Sequence, residues 1–137
     1  MNKAVIFDLD GTLIDSLPDV LGALNPVLAK MGRRPIDLAE GATMVGEGAA
    51  PLIERLFRAT GDPVDGTQVP SLVERFVELY RNHPADETII YPGVVQTLES
   101  LAAQDVPMGI CTNKPHDMSV LVMNCLGLNR FFSSVIG

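Results

Sequence analysis

The chain has 137 residues, of which 47% are hydrophobic and two are cysteines, and 17 acidic against 10 basic residues give it a net charge of -7. This length fits one ordinary domain, or one domain with a modest insertion, and the apolar content excludes a disordered chain. The acidic balance argues against sequence-independent nucleic-acid binding, which needs a basic patch, and no apolar run approaches the length that crosses a membrane.

The chain opens on a short apolar strand, Val5–Phe7, which we expect to be buried and to carry Asp8 at its carboxyl end. In open α/β sheets this is the end at which ligands bind. Asp8 and Asp10 are two residues apart, so in an extended segment their carboxylates share a face. Such a pair repels unless a cation or proton lies between them, and hard oxygen ligands suit magnesium. The alternative is an Asp-Gly hairpin turn, which is disfavoured because no alternating second strand follows Gly11.

A helical pattern follows instead of a second strand. Ser16 is predicted to be a helix N-cap with Asp19 in the capping-box position, and apolar residues then recur at helical spacing as far as Met31. The next stretch contains Gly46 and Gly48 and is predicted to be flexible. Further helices are predicted at 38–44, 50–60 and 71–82.

The pattern changes again after residue 83. A helix is predicted over 94–104, a buried strand over 106–111, a helix over 117–126 and a third strand within 131–136. Strands that alternate with helices predict a parallel sheet of Rossmann type. We therefore predict an α/β protein in which residues 1–14 and 84–137 form a Rossmann-like core and residues 15–83 form an inserted α-helical cap. Cys111, which ends the second apolar strand, is predicted to be a small core hydrophobe.

Three polar residues, Thr112, Asn113 and Lys114, directly follow this strand. In a parallel sheet they emerge at the same edge as Asp8, where a hydroxyl and backbone amides can hold a phosphoryl oxygen. The structural alternative is that the threonine only caps the next helix. Lys114 also has two interpretations, a positive charge near the pocket or a solvated lysine at the start of a helix.

The segment DLDGT resembles the first motif, DxDGT, of the haloacid dehalogenase-like hydrolase superfamily. The resemblance implies that Asp8 is the nucleophile that attacks phosphorus and that Asp10 is the acid/base that protonates the leaving group. It also implies Mg²⁺ as a cofactor bound by Asp8 and Asp10, and a phosphate site that includes Gly11, Thr12 and the second-motif residue Thr112. The chemistry is reasonable, since a carboxylate can form a covalent phospho-enzyme and a metal can polarise phosphoryl oxygens.

Within the superfamily the chain is similar to phosphoglycolate phosphatases. The similarity rests on the VGxG stretch with Gly46 and Gly48, on the PLIERLF that follows, and on YPGV at 91–94. The two glycines would let the backbone approach a small substrate, and the alternative is a flexible link between two cap helices. TNKP is a usual form of the second motif, so Asn113 and Lys114 are candidate phosphate-site residues, although the third-motif lysine normally follows a later strand.

The resemblance implies a magnesium-dependent phosphate monoester hydrolase that works through an aspartyl-phosphate. The expected substrate is 2-phosphoglycolate or a similar small phosphorylated metabolite. A phosphomutase or pyrophosphatase of the same superfamily is an alternative, as is a non-catalytic fragment, whereas Asp10 argues against the dehalogenase branch, which lacks that second acid. The absence of a secretory signal and of paired cysteines favours a cytoplasmic protein.

The third and fourth motifs of the family, a lysine and an acidic pair, would lie beyond Gly137. We therefore expect this chain to be the N-terminal portion of an enzyme, with little phosphatase activity alone. The strand that bears Asp8 would then lack one neighbour, and its open edge would favour self-association.

Overall fold

The computed structural model describes residues 3–137 as alternating helices and short strands. In chain order the strands are β1 (Val5–Phe7), β2 (Ile14–Asp15), β3 (Ile89–Ile90), β4 (Met108–Cys111) and β5 (Ser134–Ile136). The helices are α1 (Leu17–Lys30), α2 (Leu38–Ala42), α3 (Ala49–Thr60), α4 (Val69–Asn82), α5 (Val94–Ala103) and α6 (His116–Leu126), with 3₁₀ turns at Gly66–Gln68 and Asn129–Phe131.

The main sheet has three parallel strands in the order β1-β4-β5, which confirms the predicted α/β class. Val5 pairs with Met108 and Phe7 with Ile110, so β1 and β4 end side by side. At Gly109, in the middle of β4, a Cβ atom would lie 3.0 Å from the Oγ of Ser134 and 3.1 Å from the Cδ1 of Ile6, so a larger residue there would require these side chains to shift. The carboxyl ends of β1 and β4 therefore meet at one edge, as the sequence predicts.

Burial of the strands differs from the prediction. Ile6 is 63% exposed and Cys111 is also exposed, so the expectation that both are buried was wrong. Within residues 3–137, β1 pairs with β4 alone and is an edge strand. An apolar run predicts burial of every residue only where both faces of the strand are covered, and here the face that carries Ile6 is open.

A second, two-stranded sheet was missed at the level of sequence. β2 and β3 pair antiparallel, with Ile14 opposite Ile90, and the Tyr91 N–H donates to the Leu13 carbonyl oxygen at 3.0 Å. Two residues are too few for an alternating pattern to show. This ribbon draws together the two ends of the helical segment 15–83, whose assignment as a separate cap stays a prediction.

The helical segment is built on α4, which packs against both α1 and α3. The predicted inner face of α3 is confirmed, since Leu52, Ile53, Leu56 and Phe57 are all buried. Met31 lies beyond the end of α1 and is 43% exposed, contrary to the helical pattern. No helix in residues 3–137 is long and apolar enough to span a membrane.

The predicted capping box at the start of α1 is wrong. Ser16 is the N-cap residue, but its side chain makes no capping hydrogen bond; its hydroxyl donates to Asp10 instead. The buried Asp19 carboxylate accepts the Glu87 N–H at 3.0 and 3.1 Å and the Thr88 hydroxyl at 2.5 Å. Neither side chain therefore caps the helix: Ser16 bonds to Asp10 in the turn before it, and Asp19 joins α1 to the segment that returns from the helices.

Asp19→Asn should lower the free energy of unfolding by about 2 kcal/mol, because a charged, buried carboxylate that accepts from two donors with both of its oxygens is replaced by a neutral amide with one acceptor oxygen. Urea denaturation of the chain measures the effect. Asp117→Asn, which alters an exposed carboxylate in the first turn of α6, is the control and should change it by about 0.5 kcal/mol or less. Equal effects of the two substitutions would contradict the structural role of Asp19.

Candidate active site

A cavity of about 420 Å³ opens at the carboxyl ends of β1 and β4. Its sheet side is formed by residues that follow these two strands, and its opposite side by helices α1, α3 and α4 and the loop before α3. The sheet side consists of Asp8, Asp10, Gly11, Thr112, Asn113 and Lys114. Facing them are mainly apolar side chains, among them Val45, Ala49, Leu52, Phe76 and Val77, together with Tyr80.

The cavity brings together all the candidate residues from the sequence except Thr12. Gly46 and Gly48 line it from the loop before α3. Thr12 is exposed in the turn after β1, where its N–H donates to the Leu9 carbonyl oxygen at 3.2 Å, and it is not on the cavity wall. The motif DLDGT therefore contributes Asp8, Asp10 and Gly11 to the cavity, while its threonine shapes the turn.

Asp8 comes directly after β1 and is exposed to the cavity. Its Oδ1 accepts the N–H of Leu9 at 2.8 Å, which fixes the orientation of the carboxylate. Leu9 itself is fully buried, so the chain is anchored between the two aspartates. Because Leu9 points into the core, the Asp8 and Asp10 side chains on either side of it both point toward the cavity.

Asp10 is half-buried and more constrained than Asp8. Its Oδ1 accepts the Ser16 hydroxyl at 2.5 Å and lies 3.3 Å from the Nζ of Lys114. The turn that brings Ser16 back depends on Gly11, which has φ +80° and donates its N–H to Ile14 at 2.9 Å. Sequence reasoning missed Ser16 as a site residue, because its position before a helix indicates only a cap.

Lys114 is only 8% exposed, so the interpretation as a solvated lysine was wrong. Its Nζ donates to the Tyr80 hydroxyl at 2.8 Å and lies 4.5 Å from the centre of the same ring. Burial lowers the pKa of Lys114, and the Asp10 carboxylate raises it again. Burial, with the nearby charges of Asp10 and Asp19, raises the pKa of Tyr80, so its hydroxyl stays neutral and accepts the bond.

Tyr80 was also missed as a site residue. Its position in α4 follows the same helical spacing as Leu72 and Phe76, and such a pattern indicates core packing alone. It is indeed buried, but it also lines the cavity, and its hydroxyl accepts a bond from Lys114. Nothing in the local sequence predicts that this hydroxyl meets a lysine 34 residues later.

The loop before α3 rests on the segment that follows β4. The side-chain amide of Asn113 donates to the Gly46 carbonyl oxygen at 2.9 Å. At Gly48, where φ is +95°, a Cβ atom would lie 3.3 Å from the backbone oxygen of Asn113. Thr112 and Lys114 are tied to each other, since the Lys114 N–H donates to the Thr112 hydroxyl oxygen at 3.2 Å. The loop is thus held against the cavity in addition to linking two helices.

The donor set of the cavity fits part of a magnesium site. Asp8 and Asp10 provide hard carboxylate oxygens, which Mg²⁺ prefers, and this ion commonly keeps water and substrate oxygens in its other positions. Across residues 3–137, no group of three or more Asp, Glu, His and Cys side chains converges to hold a metal. Two carboxylates are therefore the protein ligands that this part of the chain offers.

The fold and the position of the cavity define an α/β protein with its site at the carboxyl edge of a parallel sheet. A family model described as haloacid dehalogenase-like hydrolase matches residues 5–137. The chain belongs to this family.

The sequence relatives are phosphoglycolate phosphatases. The chain is 44% identical over 138 residues to that of Caulobacter vibrioides and 42% identical over 141 residues to that of Rhodospirillum rubrum. All of this chain is covered in both cases, and it spans 58% of the length of each relative. A solved structure from Haemophilus somnus, described as a predicted phosphoglycolate phosphatase, is 28% identical with a TM-score of 0.90, over 99% of this chain and 62% of that one.

Gly48→Ala should destabilise the chain by about 1–2 kcal/mol, because the positive φ is unfavourable for alanine and the new methyl group presses on Asn113. Gly66→Ala is the matched control, since a Cβ atom there meets nothing within 4 Å and its φ lies outside the positive range. Thermal or urea unfolding compares the two. If Gly48→Ala is as harmless as Gly66→Ala, the loop is not held as described.

Proposed function

We propose that the protein hydrolyses phosphate monoesters through an aspartyl-phosphate on Asp8. The observation that carries the proposal is the cavity in which Asp8 and Asp10 lie together with Thr112 and Lys114 at the adjoining ends of two parallel strands. The family membership and the names of the relatives support a phosphatase whose substrate is 2-phosphoglycolate or a similar small phosphorylated metabolite.

In the first step, a carboxylate oxygen of Asp8 attacks phosphorus and the bond from phosphorus to the ester oxygen breaks. The leaving oxygen takes a proton from the carboxyl group of Asp10, which enters the step protonated and leaves it ionised. The contacts of Asp10 with Ser16 and Lys114 hold this group in place beside Asp8. A positioned acid of this kind contributes rate by stabilising the departing oxygen.

In the second step, water attacks the phosphorus of the aspartyl-phosphate and the bond to Asp8 breaks. Asp10, now a carboxylate, accepts the proton of the attacking water. Inorganic phosphate leaves, Asp8 returns as a free carboxylate and Asp10 returns to its protonated form. Splitting the reaction in this way lets one pair of carboxylates serve both halves.

The phosphoryl oxygens need hydrogen-bond donors that stabilise their negative charge in the transition state of each step. The Thr112 hydroxyl, the Asn113 amide, the Lys114 ammonium and the backbone at Gly11 border the cavity and are proposed as this set. Mg²⁺ would be held by the Asp8 oxygen that does not attack, and by Asp10 only while Asp10 is ionised, and it would neutralise the clustered oxygens and polarise the phosphoryl group. Donors fixed before the reaction are the largest source of such stabilisation.

The opposite wall of the cavity supports a small substrate. Leu52, Phe76 and Val77 line the cavity opposite the carboxylates, from α3 and α4, and give this side an apolar surface. A volume of about 420 Å³ accommodates a compact phosphorylated acid together with a metal ion and water.

Asp8→Asn should abolish phosphate release, with kcat lowered at least about a thousandfold, because an amide is a far weaker nucleophile than a carboxylate. Phosphate release from 2-phosphoglycolate by the intact protein measures this, and circular dichroism checks the fold. Asp105→Asn alters an exposed carboxylate away from the cavity and should leave kcat unchanged. Near-normal turnover by Asp8→Asn would refute the proposed nucleophile.

Asp10→Asn should lower kcat strongly with a smaller change in KM, because the acid acts in the transition state more than in binding. The loss should shrink for aryl phosphates with acidic leaving groups, which need less protonation. A series of such esters, assayed with both forms of the intact protein, gives the dependence. An equal loss for good and poor leaving groups would contradict the acid role.

A further inference from the structure

Two consecutive side chains after β4 bond to different parts of the helical segment. Asn113 donates to the Gly46 carbonyl oxygen in the loop before α3, and Lys114 donates to the Tyr80 hydroxyl in α4. The segment 112–114 is therefore joined to the opposite wall of the cavity at two points, one in the loop before α3 and one in α4.

The two hydrogen bonds, Asn113 to Gly46 and Lys114 to Tyr80, differ in burial. Asn113 is exposed, so water competes for its hydrogen bond, whereas Lys114 is 8% exposed and Tyr80 is 2% exposed. A buried ammonium that loses a partner keeps its desolvation cost without compensation. The bond between Lys114 and Tyr80 is accordingly the stronger of the two connections across the cavity.

Lys114 is also connected to the proposed chemistry. Its Nζ lies 3.3 Å from Asp10 Oδ1, and its N–H is bonded to the Thr112 hydroxyl oxygen. The Tyr80 hydroxyl thus contacts neither carboxylate directly but holds the ammonium that does. Tyr80 in α4 therefore contacts Lys114, and Lys114 in turn contacts both Asp10 and Thr112.

We propose that Tyr80 is a positioning residue of the active site, which acts through Lys114 to hold residues 112–114 in the geometry that binds phosphate. Docking of α4 over the cavity then sets the phosphate site, and α4 supplies part of the substrate-facing wall as well. This inference rests on the proposed phosphatase function for its kinetic consequences, but the bond itself has consequences that need no catalysis.

A purely structural role for Tyr80 makes a different prediction. Its ring packs 5.5 Å from that of Phe76, and a ring that only filled space would be replaced by phenylalanine at a cost in stability alone. Tyr80→Phe keeps the ring and removes the hydroxyl, so it separates the two roles. The control is Phe57→Leu, which lowers stability at a buried site in α3 that is not part of the cavity.

The kinetic test uses the intact protein with Tyr80→Phe, Lys114→Met and the double variant. We expect Tyr80→Phe to lower kcat/KM about tenfold and to weaken inhibition by inorganic phosphate severalfold, and the double variant to be no worse than Lys114→Met alone. Phe57→Leu should change neither quantity. Unchanged kcat/KM and phosphate inhibition in Tyr80→Phe, or losses that multiply in the double variant, would overturn the proposal.

A second measurement tests the role of Tyr80 without depending on catalytic activity. Hydrogen exchange on the chain itself should show the Lys114 amide exchanging severalfold faster in Tyr80→Phe than in the unmodified protein, and no faster in Phe57→Leu. If the unmodified protein releases no phosphate, the proposed function fails while this comparison still decides the inference. An equal exchange rate at Lys114 in Tyr80→Phe and the unmodified protein would overturn it.

Discussion

The parallel pairing of β1 with β4 is the constraint on which the site depends. Because Phe7 lies opposite Ile110, the residues after each strand leave the sheet side by side, and side chains more than 100 positions apart share a cavity. A register shifted by one residue would turn every following side chain to the other face. Within this pairing, the missing side chain of Gly109 leaves room for the side chains of Ser134 in β5 and Ile6 in β1.

Lys114 shows how the site balances charge. Three carboxylates, those of Asp8, Asp10 and Asp15, line the cavity, and Lys114 is the cation among the lining residues. Its burial would favour loss of the proton, but Asp10 opposes this and Tyr80 accepts one of its hydrogen bonds. A buried charge is tolerated when it is paired and hydrogen-bonded in this way. The ammonium therefore depends on residues from both walls, and in the proposed mechanism it couples the helical segment to the acid/base.

The sequence predicted the elements that have a repeating signal. The buried face of α3 was predicted because four apolar residues recur at helical spacing, and the position of Asp8 and Thr112 because each follows an apolar strand. The predictions failed where a tertiary contact competes with a local rule. Ser16 and Asp19 have the spacing of a capping box, yet Ser16 bonds to Asp10 in the preceding turn and Asp19 bonds to Glu87 on a distant segment. Local sequence carries no information on such partners.

Burial was the other source of error. Ile6 and Cys111 were assigned to the core from residue type and both are exposed, and of the two interpretations left open for Lys114 the solvated one is wrong. Exposure depends on what packs against a residue, and for Lys114 the neighbours come from α4 and from the turn after β1. The same dependence explains why Tyr80 was taken for an ordinary core residue of α4. Its hydroxyl acquires a role only when the helical segment and the sheet are seen together.

The central claim is that Asp8 carries the phosphoryl group. The most direct measurement is to quench the intact protein during turnover of 2-phosphoglycolate with Mg²⁺, reduce the sample with borohydride, and map the product by mass spectrometry. Borohydride converts an acyl phosphate to an alcohol, so we expect homoserine at position 8 and unmodified Asp10, with no reaction when substrate is omitted. Reduction at Asp10, or phosphate release with position 8 unmodified, would contradict it.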